Sequence, residues 1–205
     1  MQFGVPVTGS GILIVSSGIL NSGVLSLGNG LSISNNALTL SGGGSTNIFV
    51  GAAEMIPTTT SGCGINSVES TNNLVNYDAL EFDAGTAEYA QFVRVLPNNW
   101  STGSLTAKFH WTTTGTSGAC VWGIQGQSFS DSSLIDNVFG TAQIVEDSLI
   151  SGNYMHITNA TPATTLSGNV ANGYPIVFRV FRDPSNTGDN LAVDARLIGT
   201  ELTYS

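Results

Sequence analysis

The chain has 205 residues, 41% of them hydrophobic and only 9% charged, with five Lys and Arg against 14 Asp and Glu for a net charge of −9. That balance argues against nucleic acid or an anionic membrane as partner. Such binders cluster cations to displace counterions, whereas Arg94, Lys108, Arg179, Arg182 and Arg196 are scattered singly. No segment reaches the roughly 20 apolar residues of a membrane helix, and no Lys or Arg precedes the apolar run Ile12–Val15 as a secretion signal would require. The chain is therefore expected to fold in a cytoplasm, with Cys63 and Cys120 as free thiols.

The first 46 residues differ in kind from the rest. They contain no charged side chain and hold ten of the 25 glycines. A disordered tail is normally kept in solution by charge, so this segment is expected to be covered by a partner. It repeats SGIL, SGIL, SGVL between Ser10 and Leu25, and then sets L-x-L, L-x-I and L-x-L (Leu25/Leu27, Leu31/Ile33, Leu38/Leu40) around the turns Gly28–Gly30 and Ser34–Ala37. Each short strand offers two apolar positions on one face, too few for a core of its own. Repeats of this type become stable by stacking on neighbours or on other chains. Before them, MQFGVPV alternates Phe3, Val5 and Val7 on one face, with Pro6 marking an edge strand or an arm.

Residues 47–205 form one domain by length and pattern. Strand signals run through Glu88–Leu96, Ser104–Thr114, Ala119–Phe129, Tyr174–Phe181 and Asn190–Tyr204, with weaker ones at Leu74–Phe82, Tyr154–Thr158 and Ala163–Leu166. Clusters such as PNNWSTG, TGTSG and DPSNTGDN separate them. Only Asp131–Gly140 reads as two helical turns behind an Asp or Ser cap. The expected fold is all-β, an antiparallel sandwich or jelly roll preceded by an extended, trimerising β-arm or short stalk. Arg179, Arg182, Asp194 and Arg196 are expected on a solvated face alternating with a buried one.

No catalytic residue, cofactor site or metal site is expected, and the chain is read as not being an enzyme. Asp83 and Glu88 flank a Gly-Thr turn and fit loop dressing better than a glycosidase pair. His110 and His156 lie inside strand patterns, and no nucleophile elbow is present. Asp183, Ser185, Thr187, Gly188 and Asp194 occupy calcium-loop spacings, but Asp stands where a bidentate Glu is usual and no helices flank it. A hairpin loop fits better. Among the aromatics, Trp111 and Trp122 are expected in the core, Tyr77, Tyr89 and Tyr154 are possible stacking platforms, and Trp100 is the Trp most suited to contact a ligand.

The stretch Leu25–Leu40 resembles the triple β-spiral of viral fibre shafts, in which three identical chains wind round one axis. Segments of the remainder, among them GAAEMIPTTTSG, LEFDAGTAEYAQFVRVLPNNW and VFRVFRDPSNTGDNLAVDARLIGTELTY, resemble a β-domain common in virion proteins of tailed bacteriophages. These resemblances imply a virion surface protein made in the host cytoplasm. They imply a homotrimer built on Leu25, Leu27, Leu31, Ile33, Leu38 and Leu40. The first expectation is a capsid decoration (cement) protein seated on the major capsid protein through Phe3, Val5 and Val7. The alternative is a short trimeric tail fibre whose jelly-roll tip binds a host glycan or protein. The shortness of the stalk favours the first.

Overall fold

The computed structural model describes residues 25–26, 31–34, 37–40, 46–96, 100 and 104–204. It divides into two compact units, Met1–Gly44 and Ser45–Ser205.

In the first unit, β1 (Leu25–Ser26), β2 (Leu31–Ser34) and β3 (Ala37–Leu40) form an antiparallel meander in the order β1-β2-β3. Its register pairs Leu25 with Ile33, Ile33 with Leu38, and Leu31 with Leu40. Strand alternation then places these five positions on one face, with Ser26, Ser32, Ser34 and Thr39 on the other. Leu27 and the turns at 28–30 and 35–36 lie outside the described residues, as do Phe3, Val5 and Val7.

The second unit is an antiparallel β-sandwich. Its strands are β4 (Thr46–Gly51), β5 (Ile56–Pro57), β6 (Gly64–Glu69), β7 (Asn76–Phe82), β8 (Glu88–Val95), β9 (Leu105–Thr113), β10 (Ala119–Ser128), β11 (Gln143–Ser148), β12 (His156–Ile157), β13 (Leu166–Gly168), β14 (Pro175–Arg182) and β15 (Ala195–Tyr204). One sheet runs β12-β9-β15-β7-β6, with β4 extending the β7 edge of β15 past a bulge at Ile198. The other runs β11-β10-β14-β8-β5, with β13 pairing in parallel beyond β11 on the same edge of β10. Except at the hairpins β6–β7 and β10–β11 and between β13 and β14, each connection crosses from one sheet to the other, as in a jelly roll.

Alternation explains both the strands and the core. On β9, Leu105, Ala107, Phe109 and Trp111 point inward, and on β14 Ile176, Phe178 and Val180 meet them from the facing sheet. Trp122 sits at the centre, edge-on to Phe82 at 5.2 Å and stacked on Phe109 at 5.6 Å, with Trp111 at 6.1 Å. Each such ring contact adds about 0.5–1.5 kcal/mol beyond area burial. Cys63 and Cys120 are free and buried. Burial, with the Glu88 charge adding to it, pushes the Cys63 thiol up to about 12.

Three expectations are corrected. Asp131–Gly140 is a chain of turns, in which Ser133 N–H donates to the Ser130 carbonyl and Ser130 N–H to the Ser133 hydroxyl. Its Leu134, Ile135 and Val138 are 72%, 75% and 74% exposed, so the segment has no apolar stripe buried to support a helix. Trp100 is 3% exposed and belongs to the core cluster. A large ring in a polar loop gains more by turning inward than by facing water. Arg182 is 0% exposed, because a residue three places from Arg179 on a strand must face the opposite side.

Candidate functional site

The outer face of the β11-β10-β14-β8-β5 sheet carries an ordered array of aromatic and polar side chains. Register sets three rows across it: Gly123, Phe181 and Tyr89; then Gln125, Arg179 and Gln91; then Gln127, Val177 and Val93. In the first row the Phe181 ring lies over Gly123, in the space a Cβ would take, so a larger residue there would displace the ring.

Arg179 is fixed at the centre. Its guanidinium carbon lies 4.9 Å from the Tyr89 ring centroid and 4.4 Å from that of Phe139, which descends from the β10–β11 connection. Its Nε and Nη2 donate to Gln125 Oε1 at 3.0 and 2.5 Å. Gln125 Nε2 donates to the Gly140 carbonyl at 3.0 Å, which fixes the amide with its oxygen toward the arginine. Tyr89 also packs against Phe181, at 5.7 Å. Among the described residues, no carboxylate lies within ion-pair distance of Arg179. The other three arginines are paired: Arg94 with Glu54, Arg182 with Asp189 and Arg196 with Glu81.

A groove of about 690 Å³ lies on the same face beside β8, lined by Ile56, Thr58, Thr59, Gln91, Val93 and Val177 among others, with Arg179 itself not in its wall. Gln91 is the register neighbour of Arg179 and a groove wall at once. The Glu54–Arg94 pair also lines it. A hydrogen bond from the Gly51 amide and that arginine together hold the Glu54 carboxyl below the usual range.

The other outer face holds a different arrangement. Tyr77 and Arg196 line a recess with Ser70, Asn73 and Asn153. Here the cation is spent: Arg196 Nε donates to Glu81 Oε1 at 2.7 Å, and Asn66 Nδ2 donates to the same oxygen at 2.8 Å. Burial pushes the Glu81 carboxyl up, but these two bonds outweigh it and hold it below its ordinary value. His110 faces Glu201 at 3.6 Å and packs edge-on against Phe49. His156 is buried on the Trp111 ring, 4.7 Å between centroids.

The remaining candidates fall to structural roles. Asp83 Oδ1 accepts the amides of Gly85 and Thr86, both at 2.7 Å, and Glu88 accepts the Asp83 amide, so this pair builds its loop. Asp183 accepts the Ser185 hydroxyl, and Asp189 is committed to Arg182 and to the Val121 amide. Among the described residues, no group of three or more His, Cys, Asp or Glu is placed to hold a metal. No helix there is long and apolar enough to cross a membrane.

Glu54, Glu81 and Asp83 share a sign. A carboxyl with a depressed folded pKa contributes stability above its unfolded pKa and loses it as pH falls through the folded one. The melting temperature is therefore expected to be level from about pH 7 to about pH 5 and to fall below about pH 4. Glu81→Gln should flatten that acid limb. A melting temperature that rises on acidification below that point would refute the assignment.

Reasoning from sequence placed Arg179 on a solvated face without a binding role and gave Tyr89 as one of several stacking platforms; it did not single out Gln125, Gln91 or Phe139. The only available signal was that an arginine inside a core-like strand needs partners on the strands beside it.

No family model matches the chain, and no curated protein matches it. Similar solved structures include a Paenibacillus sp. cycloisomaltooligosaccharide glucanotransferase complexed with cycloisomaltoheptaose, at 10% identity and TM-score 0.43 over 75% of this chain and 18% of that one. They include the GH26-CBM35 β-(1,4)-mannanase of Podospora anserina, at 12% identity and TM-score 0.42 over 78% and 28%. A third is the family 11 carbohydrate-binding module of Clostridium thermocellum in complex with a β-1,3-1,4-mixed-linked tetrasaccharide, at 11% identity and TM-score 0.40 over 76% and 94%. The chain thus spans only 18% and 28% of the first two proteins. At these identities and scores the likeness says nothing about what this chain binds.

Proposed function

We propose that the chain is a non-enzymatic virion structural protein of a tailed bacteriophage, in which the N-terminal repeat joins three copies and the sandwich serves recognition. The observation that carries the recognition reading is the clamped guanidinium of Arg179. An arginine packed against two rings, oriented by a fixed amide and, among the described residues, left without a carboxylate is arranged for a ligand rather than for the fold. This favours the receptor-binding fibre over the cement protein first expected from the short stalk.

Cement remains the second reading, favoured by a separate observation. Leu134, Ile135 and Val138 stand exposed on one connection, and apolar residues grouped in this way suit docking on a shell subunit. Particles assembled without the protein separate the two. Recognition predicts heads of unchanged heat resistance and lost adsorption to the host, with a few dozen copies or fewer per virion. Cement predicts hundreds of copies and heads that burst at lower temperature while adsorption persists. Weakened heads with normal adsorption would overturn the proposal.

A further inference from the structure

We infer that the Arg179 site binds a carboxylate-bearing saccharide, with the guanidinium taking the carboxylate and the adjoining groove taking the sugar rings. This rests on the recognition reading above and names its ligand class.

The charge comes first. A guanidinium has five N–H donors in a planar fork. Two of them, on Nε and Nη2, go to Gln125 Oε1. The Nη1–Nη2 side of the fork meets no acceptor among the described residues. That side matches a carboxylate bidentately, the geometry at which arginine exceeds lysine. The Tyr89 and Phe139 rings both lie against the guanidinium and Gln125 fixes its rotation, so little side-chain entropy remains to be lost on binding. The net charge of −9 does not forbid an anion, because at physiological ionic strength distant surface charges are screened beyond about 8 Å and the carboxylate in the groove wall, Glu54, is paired with Arg94.

The groove selects the rest of the ligand. Thr58, Thr59 and Gln91 offer hydroxyl and amide groups interleaved with Ile56, Val93 and Val177. A sugar ring presents the same mixture of hydroxyls and C–H faces. An acidic peptide fits worse, because extended peptides bind by adding a strand to a free sheet edge. The edge strand beside this groove, β5, has two residues, and Pro57 lacks an N–H.

The test titrates the full-length protein with oligogalacturonate, oligosialate and hyaluronan oligosaccharides, each against its carboxyl-reduced counterpart. Sodium sulfate and a polyglutamate peptide serve as further arms. At least one acidic saccharide should bind, and carboxyl reduction should weaken it roughly 10- to 100-fold, as loss of a charge-assisted hydrogen bond does. Arg179→Gln should impose the same loss on the acidic form, leave the reduced form unchanged and keep the domain cooperatively folded, with a melting temperature lowered by no more than a few degrees for the lost ring contacts and hydrogen bonds. Arg179→Lys should restore little, since it lacks the fork. Equal affinity for acidic and reduced forms would overturn the carboxylate assignment while leaving recognition intact. Polyglutamate bound as tightly as the saccharide, or full displacement by sulfate at equal concentration, would overturn the saccharide. Binding of none of the three acidic saccharides would overturn the inference, and host adsorption would still judge the recognition reading by itself.

Discussion

Arg182→Ala is expected to destabilise the sandwich by about 3–5 kcal/mol, the cost of stripping one partner from a buried ion pair. Arg182 and Asp189 are 0% and 1% exposed, with Nη2 to Oδ1 at 2.7 Å and Nε to Oδ2 at 2.9 Å. The same guanidinium donates to the carbonyls of Leu191 at 2.5 Å and Val193 at 2.8 Å. Asp189 in turn accepts the Val121 amide at 3.0 Å. The pair thus ties the β14–β15 loop back onto β10. Truncating the arginine leaves a buried carboxylate with a single amide and two orphaned carbonyls. In a domain of this size the loss should lower the melting temperature by roughly 6–20 °C. The double replacement Arg182→Met with Asp189→Leu should recover much of it, because removing both charges also removes their desolvation cost. Urea denaturation of the three proteins checks this. A loss below about 1 kcal/mol for Arg182→Ala would mean that the pair only breaks even against solvation.

The strands that proved easiest to read are those whose alternation is enforced by two-layer packing. β8, β9, β10 and β14 lie within a residue or two of the expected bounds, since each is flanked by turn-forming clusters. β15 begins five residues later than expected, because Asn190–Asp194 belongs to the loop around Arg182. The missed strands lie at sheet edges or are very short. β6 has Ile65 and Val68 three places apart, on opposite faces, which breaks the period of two. β11 sets Ile144 and Val145 side by side with charges after them, so neither face reads as apolar. The site was less legible than the fold for a different reason. Tyr89, Gln125, Phe139 and Arg179 come together only through the pairing of β8, β10 and β14 and the descent of a connecting loop. No local spacing encodes that. The opposite fates of Arg179 and Arg182 do follow from parity alone, but the partner that makes burial tolerable, Asp189, lay in a loop that its composition marks only as a turn.

Leu31→Asp is expected to dissociate the proposed trimer and leave the sandwich unaffected. The meander β1-β2-β3 has strands of two to four residues and the five aliphatic positions of one face set by its register. A single sheet this small is marginal in water without a second layer, and three copies of the same face can supply one another with that layer. Leu31 is on the middle strand, opposite Leu40. A carboxylate there would be taken out of water in each of three copies without a cation to meet it, since no Lys or Arg occurs before Arg94. Light scattering should show the mass fall to that of one chain. The melting transition of the second unit should not move, because Ser45–Ser205 is a compact unit with its own core. Thr39→Asp is the control: it lies on the same meander but at an alternate position, on the opposite face. It should leave the trimer intact. A trimer that survives Leu31→Asp would refute the shaft reading. Dissociation by both variants would instead show that the two faces are equally buried, and that the apolar row does not by itself define the axis.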